Sequence, residues 1–192
     1  HDWQDQHWLE LGKPIQTLSR SEVPEWQQGV TGPKTALHAW GSMALVDDGI
    51  VFPANGGHNS YGGNEMYKFS FDTLDWSMPI GLGGQPGDKC KEIYSDGTPA
   101  STHPYDGLIY SPERDLVYRF GGSRYCQKSG TYTDNVWAVH DNHYRLVLDK
   151  SKFWSPGVKT TLNTKTGNII VMGKNGYGVF DPEAETFTET GD

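Results

Sequence analysis

Apolar residues in this chain recur in short alternating runs punctuated by Gly, Pro, Asn and Asp, and no stretch carries a long helical period. Short runs of this kind are how an all-β chain reads. Three segments, Gly41–Trp76, Asp106–Asp149 and Lys159–Gly191, repeat one pattern. An apolar strand and a turn lead to a second strand ending at glycine. A variable loop follows, then an aromatic strand closing on Asp or Ser. Phe69 and Trp76, Val139 and Leu146, and Phe180 and Phe187 are apolar pairs seven residues apart, each bracketing a short turn. The first turns, Asp47-Asp48-Gly49, Ser111–Asp115 and Asn163–Gly167, fall at the same point of each repeat. Innermost strands are predicted near 41–46, 106–110 and 159–163. Internal repetition of a four-strand antiparallel unit predicts a β-propeller, in which each blade buries its faces against its neighbours.

The blades then occupy residues 37–80, 104–150 and 157–192, after an N-terminal region over 1–36. Within that region His7–Gly12 reads as a strand of the kind that ends a blade, and Pro14–Pro33 as an extended connection. About three blades make an incomplete ring, since propellers have about four to eight. Uncovered blade faces are a liability both as apolar patch and as sheet edge. The expectation is therefore a homo-oligomer, or part of a longer chain or assembly. A formal charge of −8 argues against nucleic acid, whose phosphates demand a basic face. No run approaches the roughly 20 apolar residues of a membrane span.

Irregular sequence concentrates at one end of the repeats. The loops between second and third strands are Gly56–Glu65 in the first blade and Gly121 to about Asn135 in the second, against a tight Lys174-Asn175-Gly176 in the third. The lead-in to the second blade, Met78–Pro104, is longer still. In a propeller these loops open on one face, and long loops on a rigid scaffold carry binding residues. Cys90 lies in that lead-in and Cys126 in the second blade's own loop, so a disulfide is expected, with two unrelated thiols as the other reading. A disulfide implies an oxidising compartment. With His1 at the start and no initiator Met, the chain reads as processed and secreted or as a fragment, so it is expected in a secreted, periplasmic or cell- or particle-surface setting.

His38-Ala39-Trp40-Gly41, followed by Gly56-Gly57-His58-Asn59-Ser60-Tyr61-Gly62-Gly63-Asn64-Glu65-Met66-Tyr67-Lys68-Phe69, resembles the Kelch and galactose-oxidase-like superfamily of propellers. It is similar, more narrowly, to bacterial Kelch-like proteins. His103-Pro104-Tyr105-Asp106-Gly107 and Phe120-Gly121-Gly122-Ser123 continue the likeness, which covers roughly residues 37–187. The chain departs from the pattern at Val51–Asn55, which interrupts the usual strand, and at Gly173-Lys174, where a glycine pair is expected. Members of this family are usually longer.

Candidate contacts gather at the loop-rich mouth: His38, His58, Asn59, Tyr61, His103, Tyr105, Arg124 and Tyr125. Imidazoles could build a copper or zinc site, yet no H-x-H, H-E-x-x-H or C-x-x-C spacing occurs. The resemblance to galactose oxidase would require a Cys cross-linked to a Tyr with further Tyr and His copper ligands. Cys126 adjoins Tyr125, but the constellation is not reproduced. Asp96-Gly97-Thr98 lacks the aromatic of a sialidase Asp-box, and no G-x-S-x-G elbow is present. Asp47-Asp48 reads as a turn former on the opposite face. Trp3, Trp8 and Trp26 suit either sugar stacking or packing over a blade face. The expectation is a non-catalytic recognition or assembly module binding protein or glycan, without cofactor or metal. A metal-dependent propeller enzyme is the alternative.

Overall fold

The structure, a computed structural model, describes residues 15–38, 43–126, 131–151, 157–174 and 176–191, the last three without their side chains. The strand expected at His7–Gly12, the residues Trp3, Trp8 and Trp40, and Asn175 of the third loop lie outside them.

Each repeat folds into an antiparallel meander. Sheet 1 is β1 (Ala44–Val46), β2 (Gly49–Pro53), β3 (Met66–Ser70) and β4 (Asp75–Ile80). Sheet 3 is β10 (Lys159–Leu162), β11 (Ile169–Gly173), β12 (Gly176–Asp181) and β13 (Thr186–Gly191). Sheet 2 has five strands because its inner edge is broken in two. There β5 (Thr102–His103) and β6 (Leu108–Ser111) pair in succession with the long β7 (Leu116–Arg124), which continues to β8 (Tyr132–His140) and β9 (His143–Leu148). The expected innermost strands thus form, two to three residues offset in sheets 1 and 2.

The seven-residue spacing has two structural outcomes. Phe69 sits opposite Trp76 and Phe180 opposite Phe187, across turns of four residues. In sheet 2 the turn is only Asp141-Asn142, so Val139 sits opposite Tyr144 and Leu146 opposite Trp137. Asp141 adopts φ of 45°, as the first position of a two-residue hairpin turn prefers.

Side-chain alternation then stacks the sheets. Val117 and Val139 of sheet 2 pack with Ala44, Val51, Met66 and Ile80 of sheet 1. Their neighbours Tyr118, Phe120, Val136 and Ala138 point the other way, onto Ile169, Val171 and Phe180 of sheet 3. The inner strands lie side by side, β6 between β1 and β10. A parallel bridge joins Asp106 to Lys159, and their side chains form an ion pair.

The three sheets do not close on themselves, and the end faces differ. On sheet 1, Phe52, Phe69 and Trp76 cluster with ring centroids 5.1–5.9 Å apart, and Leu18 N–H donates to the Tyr67 hydroxyl at 3.0 Å. Beyond this aromatic cover Leu45 remains 66% exposed. On sheet 3 the cross-strand partners Met172 and Tyr177 are 56% and 41% exposed, at positions matching the buried Phe120 and Val136 of sheet 2.

The N-terminal connection is more structured than its composition predicts. Single 3₁₀ turns form at Arg20–Glu22 and Glu25–Gln27, and a short helix α1 at Thr35–His38. Ser19 opens the first turn, its N–H and hydroxyl both bonded to the Glu22 carboxylate at 2.7 Å. Among the described residues no helix is long and apolar enough to cross a membrane.

The aromatic knot between sheets 2 and 3 yields a direct test. Phe180 is fully buried, with Tyr118, Phe120 and Phe187 rings at 5.1–5.5 Å. Phe180→Ala should lower unfolding free energy by about 3–5 kcal/mol in urea titrations. Met172→Ala, on the open face, should cost less than about 1 kcal/mol. Equal losses would mean that the two faces are not in these states in solution.

Candidate functional site

The loop-rich end is assembled by backbone pairing before any side chain contributes. Residues 54–57 lie along the broken inner edge of sheet 2, where Thr102 N–H donates to Ala54 O at 3.0 Å and Gly56 N–H to Thr102 O at 2.9 Å. Gly57 has φ of 71°, and a Cβ there would fall 2.3 Å from Ser123 O and 2.4 Å from His103 N, so only glycine allows this approach. The turn that follows is closed by Ser60 N–H to Gly57 O at 2.9 Å. It leaves His58 with φ of 47°, an uncommon left-handed value for a non-glycine residue.

Cys126 N–H donates to His58 O at 2.8 Å, and Cys126 is disulfide-bonded to Cys90 with Cα atoms 4.6 Å apart. The expected bond is therefore present. It ties the lead-in of sheet 2 to the end of β7, and through His58 to the first loop.

Three of the expected contacts, His58, His103 and Tyr105, converge here, whereas Arg124 lies on the opposite face of the β5–β7 pair from His103. The His58 and His103 rings lie 4.8 Å apart, and Tyr105 meets His103 edge-on at 6.0 Å. Arg124, half-buried, pairs with Thr102 one position along from His103. Asn59 projects to solvent beside them while its carbonyl accepts from Val30 N–H at 2.7 Å. His38 is exposed at the end of α1, a helix tied to the loop by Asn55 Nδ2 donating to Ala36 O at 3.2 Å.

Tyr61 and Tyr125 are buried at 0% and 1% exposure, so they shape the site from below. Tyr61 donates to Glu65 Oε1 at 2.8 Å, and Tyr67 to the same oxygen at 3.0 Å. The Tyr125 ring packs on Gly62, where a Cβ would sit 2.5 Å from it. Burial pushes the Tyr61 phenol up, with the Glu65 carboxylate reinforcing the shift. Burial likewise raises the Glu65 carboxyl against the lowering effect of its two tyrosine bonds.

His103 is pushed down to about 4 by burial first and the His58 imidazole second. It is a neutral imidazole at pH 7. Half-exposed His58 and Tyr105, with exposed Asn59, present hydrogen-bonding and aromatic surface over the buried His103 ring. Among the described residues no group of three or more His, Cys, Asp or Glu side chains could hold a metal ion.

Several residues that build this end were not among the expected contacts. Asp88 is fully buried and accepts from Gln85 N–H at 2.9 Å, Ser95 N–H at 3.0 Å, the Ser95 hydroxyl at 2.8 Å and Lys91 Nζ at 2.9 Å. Burial alone would raise its carboxyl, but these bonds outweigh it and hold the group below the usual range. Asn64 bridges Gly83 N–H to Thr98 Oγ1 and Pro99 O. Half-buried Trp26 meets Tyr94 edge-on at 5.4 Å, which places an aromatic ring near the mouth. In the sequence, Asn64 belongs to the 56–69 string, and Pro-Gly-Asp at 86–88 and Asp-Gly-Thr at 96–98 are turn formers.

In comparison with known proteins, no family model and no curated sequence matches the chain.

Two measurements check the site's physics. The disulfide closes a separation of 36 residues, so Cys90→Ser with Cys126→Ser should reduce stability by about 2–4 kcal/mol. Thiol titration of the denatured, unreduced native protein should find no free thiol. The second concerns His103, whose folded pKa of about 4 lies below the ordinary 6.5, so in between the unfolded chain binds more protons. Stability is then complete above pH 6.5 and falls as pH drops toward about 4, by about 3 kcal/mol. His103→Gln should remove that part of the slope, read as the difference between the two stability-against-pH curves.

Proposed function

We propose that this chain is a secreted or surface-exposed, non-catalytic recognition and assembly module of the Kelch-like propeller type, binding protein or glycan through its loop-rich end. Three observations support the propeller reading: sequential meanders, adjacent inner strands, and a middle sheet buried on both faces. The disulfide supports an oxidising setting. Exposed Met172 and Tyr177 on one end face and Leu45 on the other favour assembly, because propeller sheets of this kind cover such positions with a neighbour.

The gathering of His58, Asn59 and Tyr105 over buried His103, on backbone pinned by the disulfide, carries the recognition reading. Rigid aromatic side chains lose little conformational entropy on binding, which suits protein hot spots and glycan stacking alike. The metal-dependent enzyme finds its one support in the paired imidazoles of His58 and His103, which supply two ligands.

A glycan and peptide array probed with the native chain and with His58→Ala plus Tyr105→Ala tests the reading. Signals should be lost or weakened by about tenfold or more in the variant, the size expected for hot-spot truncations. Ligands bound equally by both proteins would remove the loop-rich end from recognition. Stoichiometric copper or zinc in the purified protein would overturn the non-catalytic reading in favour of the enzyme.

A further inference from the structure

The two inter-sheet interfaces are built at matching register positions, so each serves as a control for the other. Ile50 pairs with Phe69, Val117 with Val139 and Ile169 with Phe180, which aligns the three sheets strand by strand. Between sheets 2 and 3, the end carrying the first turns is filled by Leu116, Tyr118 and Phe180, and the Tyr118 hydroxyl donates to Pro182 O at 3.1 Å. Between sheets 1 and 2 the corresponding positions hold Gly49, Val51 and Val139. These smaller side chains leave a cavity that, together with its polar rim, has about 280 Å³, its apolar wall formed by Val51, Met66, Val117 and Val139. It lies at the opposite end of the sheets from the loop-rich mouth.

Charge at the rim differs in the same systematic way. Sheet 2 sends Arg145 across to sheet 3, where its guanidinium donates to both carboxylate oxygens of Glu185. Sheet 1 has Ser77 at the position of Arg145. The rim of the cavity carries Asp47, Asp48, Asp115 and Asp141. Lys68, the cation among the lining residues, is engaged with Asp48 at 2.7 Å. The Tyr110 hydroxyl donates to Asp115 Oδ1 at 2.8 Å, and His140 stands 3.5 Å from Asp115 and 3.2 Å from Asp141. The apolar wall thus continues into an acidic rim whose carboxylates meet the Lys68 ammonium and the His140 imidazole and, among the lining residues, no guanidinium.

We infer that this cavity binds a small organic cation, an ammonium carried on a short alkyl or single-ring body. The body takes the place that Tyr118 and Phe180 fill in the sister interface. The ammonium stands toward Asp141 and Asp115 as Arg145 stands toward Glu185. The volume is at the lower end of the range of about 300–1,000 Å³ for ligand pockets, which selects one small body. Burial of that body supplies affinity, and the rim carboxylates select its charge.

Titration of the full chain with n-hexylammonium, followed by methyl NMR, tests the site, with n-hexanol and hexanoate as charge controls. Saturable shifts should appear at the Val51, Met66, Val117 and Val139 methyls with hexylammonium, and hexanoate should produce none. Asp115→Asn with Asp141→Asn, both exposed positions, should weaken hexylammonium binding by about fivefold, with shorter-lived shifts in high salt. Val139→Phe should fill the cavity and abolish the shifts. If that variant does not fold, the aspartate pair still decides. Unchanged methyls, hexanol binding as tightly as hexylammonium, or an aspartate variant with native affinity would each overturn the assignment. A capped lysine peptide separates two sources: binding of both probes supports a partner's lysine side chain, and binding of hexylammonium alone a free amine.

Discussion

Sheet 2 buries both of its faces, and the rest of the molecule depends on that constraint. Along β7, Val117 and Arg119 face sheet 1, while Tyr118 and Phe120 face sheet 3. A slip of one residue in the β7–β8 register would exchange these sets. It would drive Arg119 into the aromatic knot around Phe180 and turn Tyr118 toward a site shaped for valine. Register is therefore fixed from two sides at once, which a sheet with one solvated face cannot match. The inner strand follows, since β5 and β6 are both hydrogen-bonded to β7 and carry the backbone on which the loop-rich end is laid.

Loops of this length usually move more than the strands they join. Here they are bonded at closely spaced points, and the bonds are to backbone. Gly62 N–H donates to Gln27 O at 2.7 Å, and Gln27 Nε2 reaches Gly62 O and Gly83 O at 3.2 and 3.0 Å. Gly29 approaches the 59–60 backbone so closely that a Cβ would lie 2.3 Å from Ser60 O. The N-terminal segment is thus a strap across the first loop. Together with Asp88 and the disulfide, it gives irregular chain the local order of a strand. His58 and His103 owe their juxtaposition to that order, because each is placed by backbone bonds made by its neighbours.

Strands were legible because alternation, turns and glycines agree within each repeat: Asp47-Asp48-Gly49 and Asn163–Gly167 mark hairpins whatever surrounds them. The Cys90–Cys126 bond was legible from the two loops it joins. The strap was not, since Gln27 and Arg20 act through backbone carbonyls that any sequence possesses. Tyr61 and Tyr125 read as mouth residues because they adjoin His58 and Arg124. Their burial follows from Gly62, which admits the Tyr125 ring, and from Glu65, whose carboxylate draws the Tyr61 hydroxyl inward. A polar partner four residues away is weak information in a loop, where no fixed period relates the two side chains.

The two interfaces of sheet 2 are unequal in kind, and the inequality follows from their side chains. Toward sheet 3 the contact is continuous aromatic and aliphatic packing closed by an ion pair. Toward sheet 1 it is apolar only in the middle. The loop end of that interface buries Arg119 against Ala100 O at 3.1 Å, while Tyr144 donates to Asn64 O at 2.9 Å. Burial lowers the Arg119 guanidinium to about 10, so the charge persists at neutral pH at a desolvation cost that apolar packing would not incur. Such a layer adds little net stability, yet it admits few arrangements, because each buried polar group must find its own partner. Its carbonyl partners, at Asn64 and Ala100, belong to the loops that frame the mouth. The polar layer therefore fixes loop positions at one end of the interface while small valines leave space at the other. The packing between sheets 2 and 3 is closed along its length, whereas the buried polar groups and the open space lie between sheets 1 and 2.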